Sequence, residues 1–250
     1  MKNVKAKKHL GQHFLNNLQI ASEITKLLKK DTKNVIEIGP GMGILTRFLL
    51  KNKFTTQAVE IDSESVNYLK IKYPNLMVFE DDFLNLNIKK KFKFNFSLIG
   101  NFPYNISSQI LFKVFENKDQ IIEVVGMFQK EVAERIVCKK GKKKGILSVL
   151  LQTFYNIEYC FTVNAEFFIP SPKVKSGVIK LTRNNRKHLN VNEKKFKQIV
   201  KSAFNQRRKI LRNALQPLSF INKEEISDLL NLRAEQLSVD QFITLTKNVK

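Results

Sequence analysis

The sequence feature that most constrains the fold is an apolar segment followed at once by three glycines at alternate positions. Residues 34–38 (Asn-Val-Ile-Glu-Ile) have the length and β-branched content of a buried strand. Gly39, Gly41 and Gly43 allow a tight loop, and an amphipathic helical pattern follows. Strand, glycine loop and helix in this order are typical of a mononucleotide-binding unit. The spacing differs from the dinucleotide pattern GxGxxG, because Ile44 occupies the last position.

Further strand and helix patterns alternate along the chain, which predicts an α/β fold with a largely parallel sheet. The strand patterns cover residues 57–61, 76–79, 94–99, 121–128, 155–163 and 174–181. The helical patterns cover residues 17–30, 106–115, 129–137 and 145–154. A polar stretch without periodicity follows at 182–192, and the remainder is helical. We therefore predict an α/β domain over residues 1–183 and a small all-helical domain over residues 184–250.

A second motif, Gly100-Asn-Phe-Pro-Tyr104, follows a predicted strand, at the sheet edge where open α/β sheets bind ligands. Pro103 fixes its own φ and keeps Phe102 extended, so the Phe102 carbonyl and the Asn101 side-chain oxygen can point the same way. Two acceptors suit one NH₂ group, and Tyr104 offers a face on which a base can stack for roughly 1–3 kcal/mol. The motif predicts an adenine site, and an ordinary proline turn capped by Asn is the alternative.

Carboxylates and aromatic side chains elsewhere extend this predicted site. Glu60 ends a strand roughly 20 residues after the glycine loop, where an acidic side chain can bind both ribose hydroxyls. A later strand ends in Glu80-Asp81-Asp82, and one carboxylate there could accept a hydrogen bond from an adenine amino group. A solvated strand end and a plain acidic turn are the respective alternatives. The aromatic residues Phe167 and Phe168, next to a proline-rich segment, could form the second wall of a base pocket or a hydrophobic plug.

The distribution of charge points to an anionic partner. The net charge of +22 favours nucleic acid or an anionic surface as the partner, although a Lys-rich chain without Trp is also what an AT-rich genome produces. Residues 1–9 form a basic arm that we expect to be mobile. Loop 139–144 is either a disordered solvated loop or a phosphate contact. Arg207, Arg208 and Arg212 lie on one predicted helical segment and are either RNA-backbone contacts or a solvated face.

Cysteine usage and hydropathy indicate the cellular compartment in which the protein is expected. Cys138 and Cys160 are isolated and lack CxxC spacing, which indicates a reducing cytoplasm and no metal site. No apolar run approaches the roughly 20 residues of a membrane span, and the N-terminus lacks the apolar core of a signal peptide. We therefore expect a cytoplasmic protein without membrane association, with a monomer as the simplest state.

Several motifs occur together in the order found in one enzyme family. They are Gln12-His-Phe-Leu15, Glu37-Ile-Gly-Pro-Gly-Met-Gly43, Glu60-Ile-Asp62, Asp82, Gly100-Asn-Phe-Pro-Tyr-Asn-Ile-Ser107, Phe168-x-Pro-x-Pro-Lys-Val174 and Gln206-Arg-Arg-Lys-x-Leu-Arg-Asn213. From about Lys8 onward, the chain resembles the small-subunit ribosomal RNA adenine N6,N6-dimethyltransferases.

The resemblance implies a Rossmann-like class I S-adenosylmethionine-dependent methyltransferase domain with a small helical C-terminal domain that contacts RNA and the ribosome. It implies dimethylation of N6 on two adjacent adenosines in the 3′-terminal hairpin loop of small-subunit (16S) rRNA. The substrate in that family is the assembling small ribosomal subunit.

The same resemblance implies roles for individual residues. The implied cofactor contacts are His13, Leu15, Gly39, Gly41, Glu60, Asp82 and Asn101. The implied catalytic set is Asn101 and the Phe102 carbonyl on the target amine, Pro103 between them and Tyr104, and Tyr104 and Phe168 on either side of the target base.

Three positions depart from the family pattern. His13 stands where Asn is commoner, and we expect it to be neutral because a charge beside a sulfonium is unfavourable. Phe102 replaces Leu or Ile, which leaves its carbonyl role intact. Lys175 replaces a frequent Asp and adds basic charge.

Three other assignments stay open at this point. The first is the related methyltransferase that modifies a large-subunit rRNA adenine and confers macrolide resistance, against which the Gln206–Asn213 run and Leu147-Ser-Val149 argue. The second is a non-catalytic assembly or transcription factor, in which damage to the glycine loop or to residues 101–104 would be expected. The third is a DNA adenine methyltransferase, which usually carries Pro-Pro-Tyr and an added base-reading domain.

Overall fold

One sheet contains seven strands, namely β2 (Asn34–Ile38), β3 (Thr55–Glu60), β4 (Met77–Glu80), β5 (Phe96–Asn101), β6 (Ile121–Gln129), β7 (Tyr155–Val163) and β9 (Ser176–Arg183). Their order in the sheet is β4-β3-β2-β5-β6-β9-β7. The five strands from β4 to β6 in that order are parallel, and β9 runs antiparallel to β6. The predicted largely parallel α/β sheet is therefore confirmed.

A second, two-stranded sheet was not predicted. It pairs β1 (Phe14–Leu15) with β8 (Phe168–Ile169) in antiparallel register, with Leu15 opposite Phe168. Two residues are too few for a strand pattern to be recognised in the sequence.

The helices follow the predicted periodicity with shorter bounds. They are α1 (Leu18–Lys26), α2 (Thr46–Leu49), α3 (Ser63–Lys72), α4 (Ile88–Lys91), α5 (Ser107–Glu116), α6 (Lys130–Val137), α7 (Ile146–Phe154), α8 (Glu193–Asn205), α9 (Leu211–Ala214), α10 (Ser227–Leu230) and α11 (Val239–Lys247). Short 3₁₀ helices lie at Lys8–Leu10, Ala165–Phe167 and Ala234–Gln236.

The computed structural model describes residues 4–52 and 54–250, which form two units. One unit comprises the chain up to Ala133 together with Ile157–Arg183, and the other comprises Glu134–Asn156 together with Asn184–Lys250. The second unit thus includes Glu134–Asn156, which the sequence analysis assigned to the first domain. Backbone bonds explain this grouping: the Asn184 amide donates to the Phe154 carbonyl at 3.0 Å.

The core of the first unit holds the central strands in place. Val35 of β2, Ile99 of β5 and Val125 of β6 are fully buried in one hydrophobic cluster, to which Ile24 of α1 also belongs. Strands buried on both faces are expected at the centre of a parallel sheet. The loops after β2, β3 and β5 therefore start from fixed points.

Candidate active site

One cavity lies at the carboxyl ends of β2, β3 and β5. Nine predicted site residues line it, namely His13, Gly39, Gly41, Glu60, Asp82, Asn101, Phe102, Pro103 and Tyr104. The structure thus brings together residues that are up to about ninety positions apart in the sequence, as expected when parallel strands end at one sheet edge.

The glycine loop is tied to the end of β3 through Glu60. Gly39 and Gly41 have φ values of +62° and +54°, which favour glycine. The Gly41 amide donates to Glu60 Oε2 at 3.0 Å, and the Asp62 amide donates to Glu60 Oε1 at 3.0 Å. The carboxylate is only 3% exposed, and this burial raises the pKa of Glu60. Each oxygen keeps a further lone pair with which it can accept a hydroxyl group.

Glu37 lies behind the loop and does not line the cavity. It is buried, and the Thr46 hydroxyl donates to its Oε2 at 2.6 Å. Burial raises the pKa of Glu37 to about 8, so this carboxyl group is largely protonated at neutral pH. Its role in this structure is to join β2 to α2 beneath the glycine loop.

Asp82 forms one wall of the cavity within a turn of its own. Its Oδ1 accepts the Leu84 amide at 2.8 Å and its Oδ2 accepts the Asn85 side-chain amide at 2.8 Å. The carboxylate is half-buried and offers further acceptor positions to the cavity.

The amide of Asn101 is oriented by the backbone of His13. Asn101 Nδ2 donates to the His13 carbonyl at 2.8 Å. Within the part of the chain that the structure describes, Oδ1 has no donor, so it is available to accept from a ligand. This geometry agrees with the predicted use of the Asn101 oxygen as an acceptor.

The His13 ring contacts two other parts of the site, the Pro170 carbonyl group and the Tyr104 ring. Its Nδ1 lies 2.7 Å from the Pro170 carbonyl oxygen, and because that oxygen only accepts, Nδ1 is the donor. In the neutral ring, Nε2 is then an acceptor. The ring also stacks on Tyr104, with 5.4 Å between the ring centroids and 29° between the planes.

Two glycines make room for Phe102, which is larger than the Leu or Ile that is usual in the family. Its ring is buried against two glycines: a Cβ added at Gly126 would lie 2.3 Å from its Cε2, and one added at Gly100 would lie 2.8 Å from its Cε1. It also packs against Phe128 at 5.1 Å between centroids. The Phe102 amide donates to the Met127 carbonyl at 3.2 Å, which fixes the backbone that carries the predicted acceptor carbonyl.

Tyr104 is anchored through its hydroxyl group. Tyr104 Oη lies 2.6 Å from Oγ of the buried Ser176, the first residue of β9. Burial raises the pKa of Tyr104, so the phenol stays neutral. Ser176 was not among the predicted site residues, although it follows the Pro-x-Pro-Lys-Val motif by two positions.

Two predicted site residues lie elsewhere. Leu15 and Phe168 are 4% and 2% exposed and belong to the hydrophobic core cluster, and neither lines the cavity. The cause is the β1–β8 pairing, which turns both side chains inward together. In this structure the Phe168 side chain is therefore packed in the core, the position expected of the hydrophobic plug.

The described part of the predicted basic arm, residues 4–9, packs against the chain around the cavity, whereas a mobile arm was predicted. Residues 9–12 line the cavity, and Gln12 Nε2 donates to Asp62 Oδ2 at 3.2 Å. The Lys7 ammonium group is ion-paired with Asp62 and lies 3.0 Å from Glu64. Lys2, which the arm also included, lies outside the described residues. Gly11 is the residue in the sequence that marks this packing. Its φ is +65°, and a Cβ added there would lie 2.5 Å from Asn105 Oδ1.

A second cavity adjoins the first. The two share Gly11, Gln12, His13 and Tyr104, and the second is also lined by polar and basic side chains of Lys8, Gln129, Ser171 and Lys173. Its described lining contains two lysines and no carboxylate, which suits an anionic chain.

In the second unit, the three predicted RNA-binding arginines differ in their contacts. Arg207 Nε lies 3.0 Å from Glu235 Oε2, and its guanidinium also donates to the Lys142 carbonyl. Arg212 donates to Asn231 Oδ1 at 3.1 Å. Arg208 is exposed, and the described residues provide no partner for it.

Loop 139–144 is anchored within the same unit. The Gly141 amide donates to the Glu235 carbonyl at 3.2 Å. Lys144 is 1% exposed and its ammonium group donates to the Leu237 carbonyl. Burial lowers the pKa of Lys144 to about 8. The remaining lysines of the loop are exposed.

Metal-binding and membrane-spanning features are absent from residues 4–52 and 54–250. These residues contain no group of three or more His, Cys, Asp or Glu side chains arranged to hold a metal ion. None of their helices has the length and apolar character of a membrane span.

Known proteins resemble the chain over almost its full length. The family model for ribosomal RNA adenine dimethylase matches residues 3–250. The ribosomal RNA small subunit methyltransferase A of Cytophaga hutchinsonii is 56% identical, and the alignment covers 98% of each chain. The protein of the same name from Flavobacterium johnsoniae is 53% identical, over 100% of this chain and 98% of its own.

Solved structures of methyltransferases have the same fold as this chain. A dimethyladenosine transferase from Plasmodium falciparum has a TM-score of 0.80 at 25% identity, covering 95% of this chain and 99% of its own. The 23S rRNA methyltransferase ErmE has a TM-score of 0.71 at 23% identity, covering 94% and 100%, and so shares the fold. The predicted Rossmann-like class I methyltransferase fold is confirmed. The chain belongs to the ribosomal RNA adenine dimethylase family, a family of S-adenosylmethionine-dependent methyltransferases.

Proposed function

We propose that this chain dimethylates N6 of two adjacent adenosines in the 3′-terminal hairpin loop of 16S rRNA, within the assembling small subunit. The names of the close relatives support the small subunit as the target. The observation that carries the proposal is the Asn101 amide, whose nitrogen is engaged by the His13 carbonyl at 2.8 Å while its oxygen remains available.

The first cavity fits S-adenosylmethionine by the chemistry of its lining. The Glu60 carboxylate, fixed by the backbone amides of Gly41 and Asp62, would hold the ribose hydroxyls. Asp82 would accept from the adenine amino group, and positive-φ Gly39 lets the backbone approach the ligand closely. The bound cofactor supplies a methyl group that is already activated as a sulfonium.

The residues of this chain therefore act on the nucleophile. The N6 lone pair of adenine is delocalised into its ring, and two acceptors on the amine hydrogens favour a pyramidal nitrogen. Asn101 Oδ1 and the Phe102 carbonyl supply these acceptors. Tyr104, backed on one face by His13 and held at its hydroxyl by Ser176, supplies the stacking surface. Preorganised acceptors and in-line positioning can account for much of the rate without a strong general base.

RNA contacts outside the cavity would come from the second unit and from the second cavity. Arg208 is exposed and without a described partner, and Lys8 and Lys173 line the second cavity. The target adenosine has to leave its stack to reach Tyr104, and this is least costly in a hairpin loop. We place this reaction in the cytoplasm, with the enzyme acting as a monomer and with residues 184–250 in the RNA- and ribosome-contacting part.

Replacing the Asn101 side-chain amide tests the proposed mechanism of methyl transfer. Asn101→Ala is expected to lower single-turnover methyl transfer by roughly 10²-fold or more, the scale of a lost transition-state hydrogen bond. Affinity for S-adenosylhomocysteine should fall much less. Asn16→Ala, which removes an exposed asparagine from the neighbouring segment, is the control and should behave as the unmodified enzyme. Near-normal turnover of Asn101→Ala would refute the assigned role.

A further inference from the structure

Lys113 holds the wall of the cavity that carries Asp82, although it does not line the cavity itself. It lies on α5, and its Nζ donates to the Leu84 carbonyl at 2.7 Å and to the Leu86 carbonyl at 2.5 Å. Both acceptors belong to the turn that starts at Asp82. Among the described residues, no backbone amide donates to either carbonyl.

The side-chain hydrogen bonds of Asp82 stay inside the turn, because it accepts the Leu84 amide and the Asn85 side chain. The buried side chains of Phe83 and Leu86 anchor the turn in the core, and the Asp81 amide before it donates to the Glu60 carbonyl at 3.0 Å. The Lys113 ammonium group adds the polar link between the turn and α5. Its Nζ also lies 5.5 Å from the centre of the buried Phe83 ring, so its position is defined on two sides.

The charges around Lys113 are acidic. Asp81, Asp82 and Glu116 all act on its ammonium group, and each favours its charged form. Burial lowers the pKa of Lys113 and is the largest effect on it.

We propose that Lys113 is a positioning residue for recognition of the cofactor's adenine: by clamping the Leu84 and Leu86 carbonyls it holds the Asp82 carboxylate where it accepts from the exocyclic amine. The inference rests on the proposed role of Asp82. The same clamp would have no effect on ligands that lack this amine.

The test compares two ligands that differ at that amine. S-adenosylhomocysteine carries it, and S-inosylhomocysteine carries a carbonyl oxygen in its place. Calorimetric titration of the full chain gives the ratio of their affinities. We expect Lys113→Met to reduce this ratio by roughly tenfold, the scale of one lost hydrogen bond to a charged group. Lys113→Arg, which keeps the charge and the donors, should recover most of the preference.

The controls separate the clamp from general stability and from the role of Asp82. Lys89→Met removes an exposed lysine from α4 and should leave the ratio unchanged. If Lys113→Met lowers both affinities equally, the residue is merely structural and the inference fails. If Asp82→Ala leaves the ratio unchanged, the proposed role of Asp82 fails instead. If Lys113→Met does not fold, Lys113→Gln decides in the same way, because it lacks the charge and its amide nitrogen lies one bond closer to the backbone than Nζ: an unchanged ratio overturns the inference.

Discussion

Filling the space beside Phe102 should disable the enzyme through the target-amine acceptors while leaving the cofactor cavity intact. In Gly126→Ala, the new Cβ would lie 2.3 Å from Phe102 Cε2 and 2.7 Å from Phe128 Cε2. Since carbon atoms in contact normally lie about 3.5–4.0 Å apart, the Phe102 ring has to move by about 1 Å or more. Its backbone is continuous with Asn101, so both acceptors are displaced.

The expected size of the effect follows from this displacement. Overpacking of this kind costs roughly 1–3 kcal/mol of unfolding free energy. A misplacement of about 1 Å at the reacting atoms can cost about 10²-fold in rate. We therefore expect Gly126→Ala to fold, to bind S-adenosylhomocysteine within a few-fold of the unmodified enzyme, and to lose roughly 10²-fold in single-turnover methyl transfer.

Rescue by a smaller side chain makes the test specific. Phe102→Leu removes the ring atom that clashes and keeps the backbone carbonyl, so the double variant Gly126→Ala/Phe102→Leu should regain most of the lost rate. Gly100→Ala is the matched control, because its Cβ would lie 2.6 Å from the Ile38 backbone oxygen, and a smaller residue 102 cannot relieve that contact. Full activity of Gly126→Ala, or equal rescue of both glycine variants, would refute the reasoning.

Three further predictions follow from other contacts. Ser176→Ala removes the 2.6 Å bond to Tyr104 and should cost about 1 kcal/mol in urea unfolding, with no further loss when Tyr104→Phe is added; additive losses would contradict it. Arg208→Gln should lower the salt dependence of small-subunit binding by a slope of about 0.7–0.9, whereas Arg207→Gln should mainly lower the unfolding temperature, since Arg207 is engaged by Glu235; equal slopes for the two variants would contradict this. The carboxyl of Glu37 keeps its proton in the folded chain up to about pH 8, whereas in the unfolded chain it ionises near the ordinary glutamate pKa of 4.5. As the pH rises between these values, stability therefore falls by up to about 1.4 kcal/mol per unit relative to Glu37→Gln, and parallel urea-unfolding curves would contradict that.

Local patterns predicted most of the sheet and most of the cavity. The strand before the glycine loop is recognisable from its β-branched residues Val35, Ile36 and Ile38. Glu60 and Asn101 are recognisable because each ends a strand. Parallel strands bring their carboxyl ends to one edge, so these residues meet without any knowledge of long-range contacts. Eight of the nine predicted residues in the cavity end or follow a parallel strand, whereas His13 was predicted only through the family resemblance.

The remaining positions depend on pairings between distant segments. Leu15 and Phe168 face the core because two-residue strands about 150 positions apart pair with each other, and no sequence pattern marks such short strands. Arg207 and Arg208 are neighbours in sequence, yet only Arg207 meets Glu235. Lys113 carries no signal in an amphipathic helix, because its role depends on carbonyl groups of another loop.

The most direct test of the account is transfer of labelled methyl groups from S-adenosylmethionine to small ribosomal subunits from cells that lack this modification. Large subunits serve as the control, and mass mapping locates the product. The account predicts N6,N6-dimethyladenosine at two adjacent positions in the 3′-terminal loop of 16S rRNA and no label in the large subunit. Label confined to the large subunit would contradict the proposed target, and tight binding to the small subunit without any label would contradict the enzymatic role.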